Sequence, residues 1–141
     1  MVAWTAFQAG NIQNERNFPV KLSKDKISST EFWTDERCFI TECLNSDEVK
    51  DFSLAIARVQ PSVTTQLHRL RDTKEIYIIR KGSGLVLVGE KEFEVSVGDS
   101  VIIPANIPQR ITNLSDTDDL EFYCHCSPRF MPEVYENLEK N

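Results

Sequence analysis

The sequence contains little histidine and no long hydrophobic run. Only two of the 141 residues are histidines, His68 and His125, so few imidazole groups are available for metal or proton chemistry. No apolar run approaches the ~20 residues that a membrane-spanning helix needs. The first residues have no basic start followed by an apolar stretch, so we expect no secretory signal and a cytoplasmic protein.

Positive charge is scarce as well. The chain has 16 Lys and Arg residues against 22 Asp and Glu residues, which gives a net charge of −6. Proteins that bind nucleic acid normally present a basic surface, because neutralising phosphate groups drives their binding. We therefore expect neither nucleic acid nor a membrane as a partner.

The four cysteines do not have the paired Cys-x2-Cys spacing that would strongly indicate a zinc site. In a cytosolic chain, free thiols are favoured over disulfides. Cys38 and Cys43 have opposite parity on the strand predicted there, so they face opposite sides of it. Cys124 and Cys126 belong to the more apolar face of another predicted strand, so we expect them to point inward and His125 to point outward. We predict buried and inert thiols.

From residue 31 onward the chain consists mainly of short runs rich in Val, Ile, Phe, Tyr and Thr, which Gly, Pro, Asp and Asn separate. Many short strands at this spacing predict a single all-β domain, a sandwich or barrel, over residues 36–130. Residues 1–35 are predicted to form an extended segment that packs on the barrel or on a partner subunit. Residues 131–141 are predicted to form a short helix, because Pro132 suits a first turn and Val134 and Leu138 share a face.

Two spaced patterns are more specific. In HRLRDTKEIYIIRKG, His68 is followed by six residues and Glu75, then by six residues and Gly82. In GDSVIIPANIPQRITN, Gly98 precedes a proline, a glutamine and an asparagine at fixed intervals. This pattern resembles the motifs of the cupin superfamily over residues 53–129. The sequence around the motifs is similar to that of a group of small single-domain cupins of uncharacterised function. The resemblance implies a double-stranded β-helix, which is a jelly-roll-like barrel.

Four residues depart from the cupin motifs. Ser62 and Asn106 stand where the motifs have glycine. Leu70 and Gln109 stand where the motifs have histidine. The spacing that predicts the fold is therefore kept, while the residues that would form the usual site are changed.

The resemblance implies a divalent metal ion of unspecified identity, held by His68, Glu75 and Gln109. A histidine and carboxylate set suits iron, manganese or zinc, whereas the neutral amide oxygen of Gln109 is a poor zinc ligand and suits harder cations. Three ligands leave positions open for water or substrate. The affinity is expected to be well below that of the full set.

Two interpretations without a metal remain open beside it. Glu75 near His68 would favour the imidazolium and orient the ring, which would give an acid–base pair, with Tyr77 as a further donor. Alternatively, His68, Glu75 and Gln109 hydrogen-bond one another and satisfy buried polar groups. The predicted catalytic residues are therefore His68, Glu75 and Tyr77.

The alternation of side chains along a strand also predicts the lining of the site. Residues two or four positions from a predicted ligand on the same strand share its face. A small polar cluster in an apolar wall is typical of a site for a small molecule. The predicted lining residues are Gln66, Leu70, Ile79 and Ile111.

Two classes of function follow. One is an enzyme with a metal or acid–base centre that acts on a small organic molecule, including an isomerase-like or epimerase-like reaction without metal. The other is a protein that binds a small ligand or metal without turnover. A small barrel with an extended N-terminal segment leaves sheet edges to protect, so we predict a homodimer.

Overall fold

The structure is a computed structural model that describes residues 21–139. A five-residue helix, α1, spans Lys24–Ser28, and a 3₁₀ turn spans Pro132–Val134. The strands are β1 (Phe32–Thr34), β2 (Cys38–Ser46), β3 (Val49–Val59), β4 (His68–Leu70), β5 (Lys74–Lys81), β6 (Ser83–Val88), β7 (Lys91–Ser96), β8 (Ser100–Ile103), β9 (Gln109–Asn113), β10 (Leu120–Ser127) and β11 (Tyr135–Asn137). Within residues 21–139, no helix has the length and apolar character to cross a membrane.

The strands form two antiparallel sheets. The six-stranded sheet has the order β1-β2-β3-β10-β5-β8, and the five-stranded sheet has the order β11-β4-β9-β6-β7. Strands distant in the chain are neighbours in both sheets, as in β10 between β3 and β5. The predicted all-β double-stranded β-helix is confirmed.

Alternating residues of each strand face the interior, as the period of a β-strand requires. On β5, Tyr77 and Ile79 are 4% and 1% exposed, while Ile78 between them is 40% exposed. Full burial of such a side chain contributes roughly 1.5–3 kcal/mol. The two sheets therefore enclose one hydrophobic core, whose members are Cys38, Ala57, Val59, Tyr77, Ile79, Val86, Val95, Val101, Ile103, Ile111, Leu120 and Phe122.

The register of β5 and β10 separates a polar end of the interior from an apolar end. Glu75 lies opposite Cys126, and Ile79, four residues further along β5, lies opposite Phe122. On β4 and β9, His68 pairs with Gln109. His68, Glu75 and Gln109 thus belong to strand ends that meet at one end of the barrel, and most of the hydrophobic core fills the other.

Both ends of the described chain differ from the sequence prediction. The prediction of a C-terminal helix was wrong, because residues 132–134 make only a single 3₁₀ turn. Residues 135–137 then add to the edge of β4, with Tyr135 opposite Leu70, since strand pairing satisfies more backbone groups than one isolated helical turn. In the segment predicted to be extended, residues 24–28 are helical. Residues 1–20 and 140–141 lie outside the described part, so the prediction of packing against a partner stays a prediction.

Two of the departures from the cupin motifs keep the backbone shape of the glycines they replace. Ser62 has φ of 63° and Asn106 has φ of 69°, both in the left-handed region that favours glycine. Asn106 also accepts a hydrogen bond from the backbone N–H of Asp72 through its side-chain oxygen, at 3.0 Å. The turns are therefore kept without glycine.

Candidate active site

A cavity of about 460 Å³ lies at the polar end of the barrel. Its walls come from β1 to β5, β10 and the segment after β10, because these elements surround that end. Most of the wall is apolar, as in Phe32, Leu54, Leu70, Phe122 and Phe130. The ionisable side chains of the lining are Glu36, Cys38, Glu42, His68, Glu75, Tyr77, Cys124, Cys126 and Arg129. Such a mixture is typical of a site for a small organic molecule.

Glu75 is the buried carboxyl of this cavity, and it is only 7% exposed. Its Oε2 atom accepts a hydrogen bond from the Cys126 thiol at 3.6 Å. Its Oε1 atom has no hydrogen-bond partner among the residues that the structure describes. Loss of water around the carboxyl, and then the nearby charge of Glu36, raise the pKa of Glu75 to about 7. Glu75 therefore changes its charge near neutral pH.

His68 is 3% exposed and held in one orientation. Its Nδ1 atom lies 2.8 Å from the carbonyl oxygen of Gln66. A carbonyl oxygen can only accept, so Nδ1 holds the hydrogen and Nε2 is the atom left for proton transfer. The ring stacks on Tyr135, with 4.6 Å between centroids and 16° between planes.

Glu36 is a site residue that the sequence reasoning missed. Its Oε2 atom lies 4.0 Å from Nε2 of His68, and its side chain is 25% exposed. Loss of water raises the pKa of Glu36, and the charge of His68 partly offsets that rise. Glu36 lies in the turn between β1 and β2, outside the stretch that resembles cupins, so no motif indicates it. The left-handed backbone of Arg37, with φ of 70°, makes this turn.

The side chains of Tyr77 and Gln109 are hydrogen-bonded to each other rather than left free for a ligand in the cavity. The Tyr77 hydroxyl donates a hydrogen bond to the side-chain oxygen of Gln109. Gln109 is 1% exposed, and it does not belong to the cavity lining. Burial, and then the charge of Glu75, raise the pKa of Tyr77 well above its usual range. The hydroxyl is therefore a fixed donor and remains protonated.

Each of the three predicted metal ligands has another contact within the described chain. The Gln109 oxygen, which would be the ligand, already accepts the Tyr77 hydroxyl, and the amide nitrogen on its other side cannot coordinate a cation. Glu75 accepts from a thiol, and Nε2 of His68 faces Glu36. In the stretch from residue 21 to residue 139, no three His, Cys, Asp or Glu side chains gather closely enough to hold a metal ion.

The predicted lining residues fall into three places. Leu70 lines the cavity and is 3% exposed. Ile79 and Ile111 lie in the hydrophobic core beyond the cavity instead, because the inward side chains at that end of β5 and β9 pack on one another. Gln66 is not part of the lining either, and its side-chain oxygen accepts the Tyr135 hydroxyl at 2.6 Å.

The predicted orientation of the cysteines is confirmed. Cys124 and Cys126 face the cavity, and all four cysteines are free thiols. Burial raises the pKa of the Cys38 thiol to about 12, and it also raises the pKa values of Cys124 and Cys126. These thiols therefore stay protonated and act as weak donors. His125 faces outward, where its ring stacks on that of Phe52 at 5.3 Å.

Comparison with known proteins assigns the family. Residues 55–126 match the cupin domain. The chain is a cupin. An uncharacterized protein of Methanocaldococcus jannaschii is 34% identical to this cupin over 122 residues, which are 85% of this chain and 95% of that protein.

Solved structures resemble this cupin in fold. A Streptomyces PAC13 variant with uridine has a TM-score of 0.71 at 12% identity, over 86% of this cupin and 92% of that chain. Pac13 is described as a unique nucleoside dehydratase. KdgF from Halomonas sp. has a TM-score of 0.70 at 12% identity, over 83% of this cupin and 100% of that chain. At these identities the likeness shows the fold alone.

Proposed function

We propose that this cupin binds a small organic molecule in the cavity and transfers protons to and from it with Glu75 and His68, without a metal ion. The observation that supports this most strongly is Glu75. It lines the cavity, it is almost fully buried, and its Oε1 atom has no partner within the described chain. A carboxyl whose pKa is about 7 can accept and return a proton at neutral pH.

His68 supplies the second proton-transfer group of the same cavity. Its Nδ1 hydrogen points at the Gln66 carbonyl, so the ring is fixed and Nε2 carries the reactive lone pair or proton. Glu36, 4.0 Å from Nε2, stabilises the imidazolium that forms when the ring takes a proton. Glu36 is therefore a positioning residue, and Glu75 and His68 are the proposed catalytic residues.

Two such groups on one cavity suit reactions in which one proton leaves a substrate and another is added. Isomerisation, epimerisation and loss of water all have this form. That a protein of similar fold is described as a nucleoside dehydratase is consistent with this class of reaction. The Tyr77 hydroxyl donates to the side-chain oxygen of Gln109, so we propose that Tyr77 orients this amide rather than exchanging protons with a ligand.

Turnover in heavy water tests the proposal. Neutral sugars, hydroxyketones and nucleosides, including uridine, would be incubated with the protein in D2O, and proton NMR would follow exchange of a C–H or formation of product. For any compound that is turned over, we expect Glu75→Gln to lower the rate at least about 100-fold, which is the usual size of an acid–base contribution. Glu92→Gln, which changes an exposed carboxyl of β7, is the matched control. An unchanged rate in Glu75→Gln would refute the catalytic role.

Titration of Glu75 tests the same proposal without any substrate. Carbon-13 NMR of labelled glutamate carboxyls, with Glu75→Gln for assignment, should show one group that titrates near pH 7. A midpoint near 4.5 for Glu75 would remove the basis of the proposal.

Elemental analysis separates the metal-dependent alternative. Protein purified without chelators would be analysed for first-row metals before and after the His68→Ala substitution. The proposal expects no stoichiometric metal. One equivalent of metal that disappears in His68→Ala would instead support the metal-dependent enzyme or the metal-binding protein.

A further inference from the structure

Among the residues of 21–139 that line the cavity, carboxyl groups outnumber cationic groups. Glu36, Glu42 and Glu75 line it, against His68 and Arg129. Glu42 lies on the exposed side of the lining, where its Oε2 atom accepts a hydrogen bond from Asn45 at 2.9 Å.

Arg129, the arginine among the described lining residues, already has side-chain partners. Its Nη1 atom forms an ion pair with Asp47, whose side chain is 90% exposed. Its Nε atom donates to the side-chain oxygen of Asn45 at 2.7 Å. Arg129 therefore does not offer the fully free guanidinium fork that usually holds the carboxylate or phosphate of a ligand.

Glu75 Oε1, in the lining of the cavity, is an acceptor that lacks a donor within the described chain. This atom is buried and has no partner among residues 21–139, while Oε2 accepts a hydrogen bond from the Cys126 thiol, a weak donor. Buried carboxylate oxygens are normally paired, because leaving them without a donor is costly. A ligand that brings an N–H or O–H group to this oxygen would satisfy it.

The remaining wall suits an apolar body. Phe32, Leu54 and Phe122 come from three different strands and border the same space. An apolar or aromatic group can therefore be buried there while a polar end reaches Glu75.

We infer that the cavity selects uncharged or cationic compounds that have an apolar body and an N–H or O–H donor for Glu75, and that it rejects compounds whose polar end is a carboxylate or phosphate. This inference rests on the proposed function only in taking the cavity to be a small-molecule site. Above pH 7, where Glu75 is mainly charged, an anion placed beside it would meet like charge in a region of low polarity, and Arg129 already forms an ion pair with Asp47.

A charge-matched ligand series tests this selectivity. Tryptamine, tryptophol and indole-3-acetate share one apolar body and differ in the charge of the polar end. Binding would be measured by titration calorimetry at pH 8.5, where Glu75 is charged. NMR of the cavity-lining methyl groups of Leu54, Leu70 and Met131 would show that binding occurs in the cavity. We expect tryptamine and tryptophol to bind at least tenfold more tightly than indole-3-acetate.

The Glu75→Gln variant should reduce the preference for tryptamine over indole-3-acetate to less than threefold, while Glu92→Gln should keep it. A library with equal numbers of cationic, neutral and anionic fragments, observed through the same methyl groups, extends the test beyond indoles. Equal binding of anions, or a library in which no compound perturbs these methyl groups, would overturn the inference.

The outcomes are distinguishable from those of the proposed function. Selectivity without any turnover supports the inference and removes the catalytic proposal. Turnover of an anionic compound that is lost in Glu75→Gln supports the catalytic proposal and overturns the inference.

Discussion

Replacing Glu75 with glutamine is expected to remove a pH-dependent loss of stability. Burial, followed by the charge of Glu36, raises the pKa of Glu75 from 4.5 to about 7. Between these pH values the folded protein keeps a proton that the unfolded chain has released. The stability that Glu75 contributes is therefore fully present below pH 4.5 and is lost as the pH rises through 7.

The size of the effect follows from the same two pKa values. A tenfold change in an equilibrium constant corresponds to about 1.4 kcal/mol, so charging this carboxyl in the folded protein costs about 3 kcal/mol in total. Between pH 5 and pH 8, the free energy of unfolding should fall by roughly 2 to 3 kcal/mol more in the natural protein than in Glu75→Gln.

Urea unfolding at several pH values from 5 to 8, followed by tryptophan fluorescence, measures the difference. The Glu92→Gln variant should show the same pH dependence as the natural protein, because it changes an exposed carboxyl of β7. If Glu75→Gln and the natural protein lose stability in parallel between pH 5 and pH 8, Glu75 does not have a raised pKa and the reasoning is wrong.

Three further predictions concern the turns, the buried amide and the assembly. Ser62→Gly should stabilise the protein by about 0.5 kcal/mol, because it relieves a left-handed backbone. Asn106→Gly should destabilise it by about 1 kcal/mol, because a hydrogen bond is lost. Urea unfolding measures both, and equal effects would contradict the role of the asparagine side chain. Tyr77→Phe should cost about 1 kcal/mol or more, since a buried amide loses its donor, whereas Tyr123→Phe should cost less than about 0.5 kcal/mol. Light scattering at micromolar concentration should give twice the mass of one chain, and the mass of one chain would rule out the predicted homodimer.

The fold was predictable because it depends on local signals repeated along the chain. Short runs of β-branched and aromatic residues between turn signals predict strands. The intervals from His68 to Glu75 and from Gly98 to Gln109 resemble the cupin motifs, and that resemblance implied the double-stranded β-helix. The C-terminal segment was not predictable in this way. Val134 and Leu138, four positions apart, predicted a helix. In the folded protein, residues 135–137 instead pair with the edge of β4 as a strand.

The site was predictable only in part, because strand alternation determines which face a residue occupies but not what lies opposite. Alternation placed His68, Glu75 and Leu70 inside correctly. It could not distinguish Leu70, which borders the cavity, from Ile79, which belongs to the core. It also could not indicate Glu36, since that residue reaches His68 from a turn 32 positions earlier in the chain.

The amino-acid sequence by itself determined the barrel, the turns that Ser62 and Asn106 maintain, and the presence of a histidine and a carboxyl on the interior faces of β4 and β5. Those properties depend on the order of residues along single strands. The tertiary structure decided what the polar residues do. Gln109 accepts the Tyr77 hydroxyl, and Glu75 keeps an oxygen without a partner among the described residues beside a cavity, because both results depend on which strands meet across the barrel.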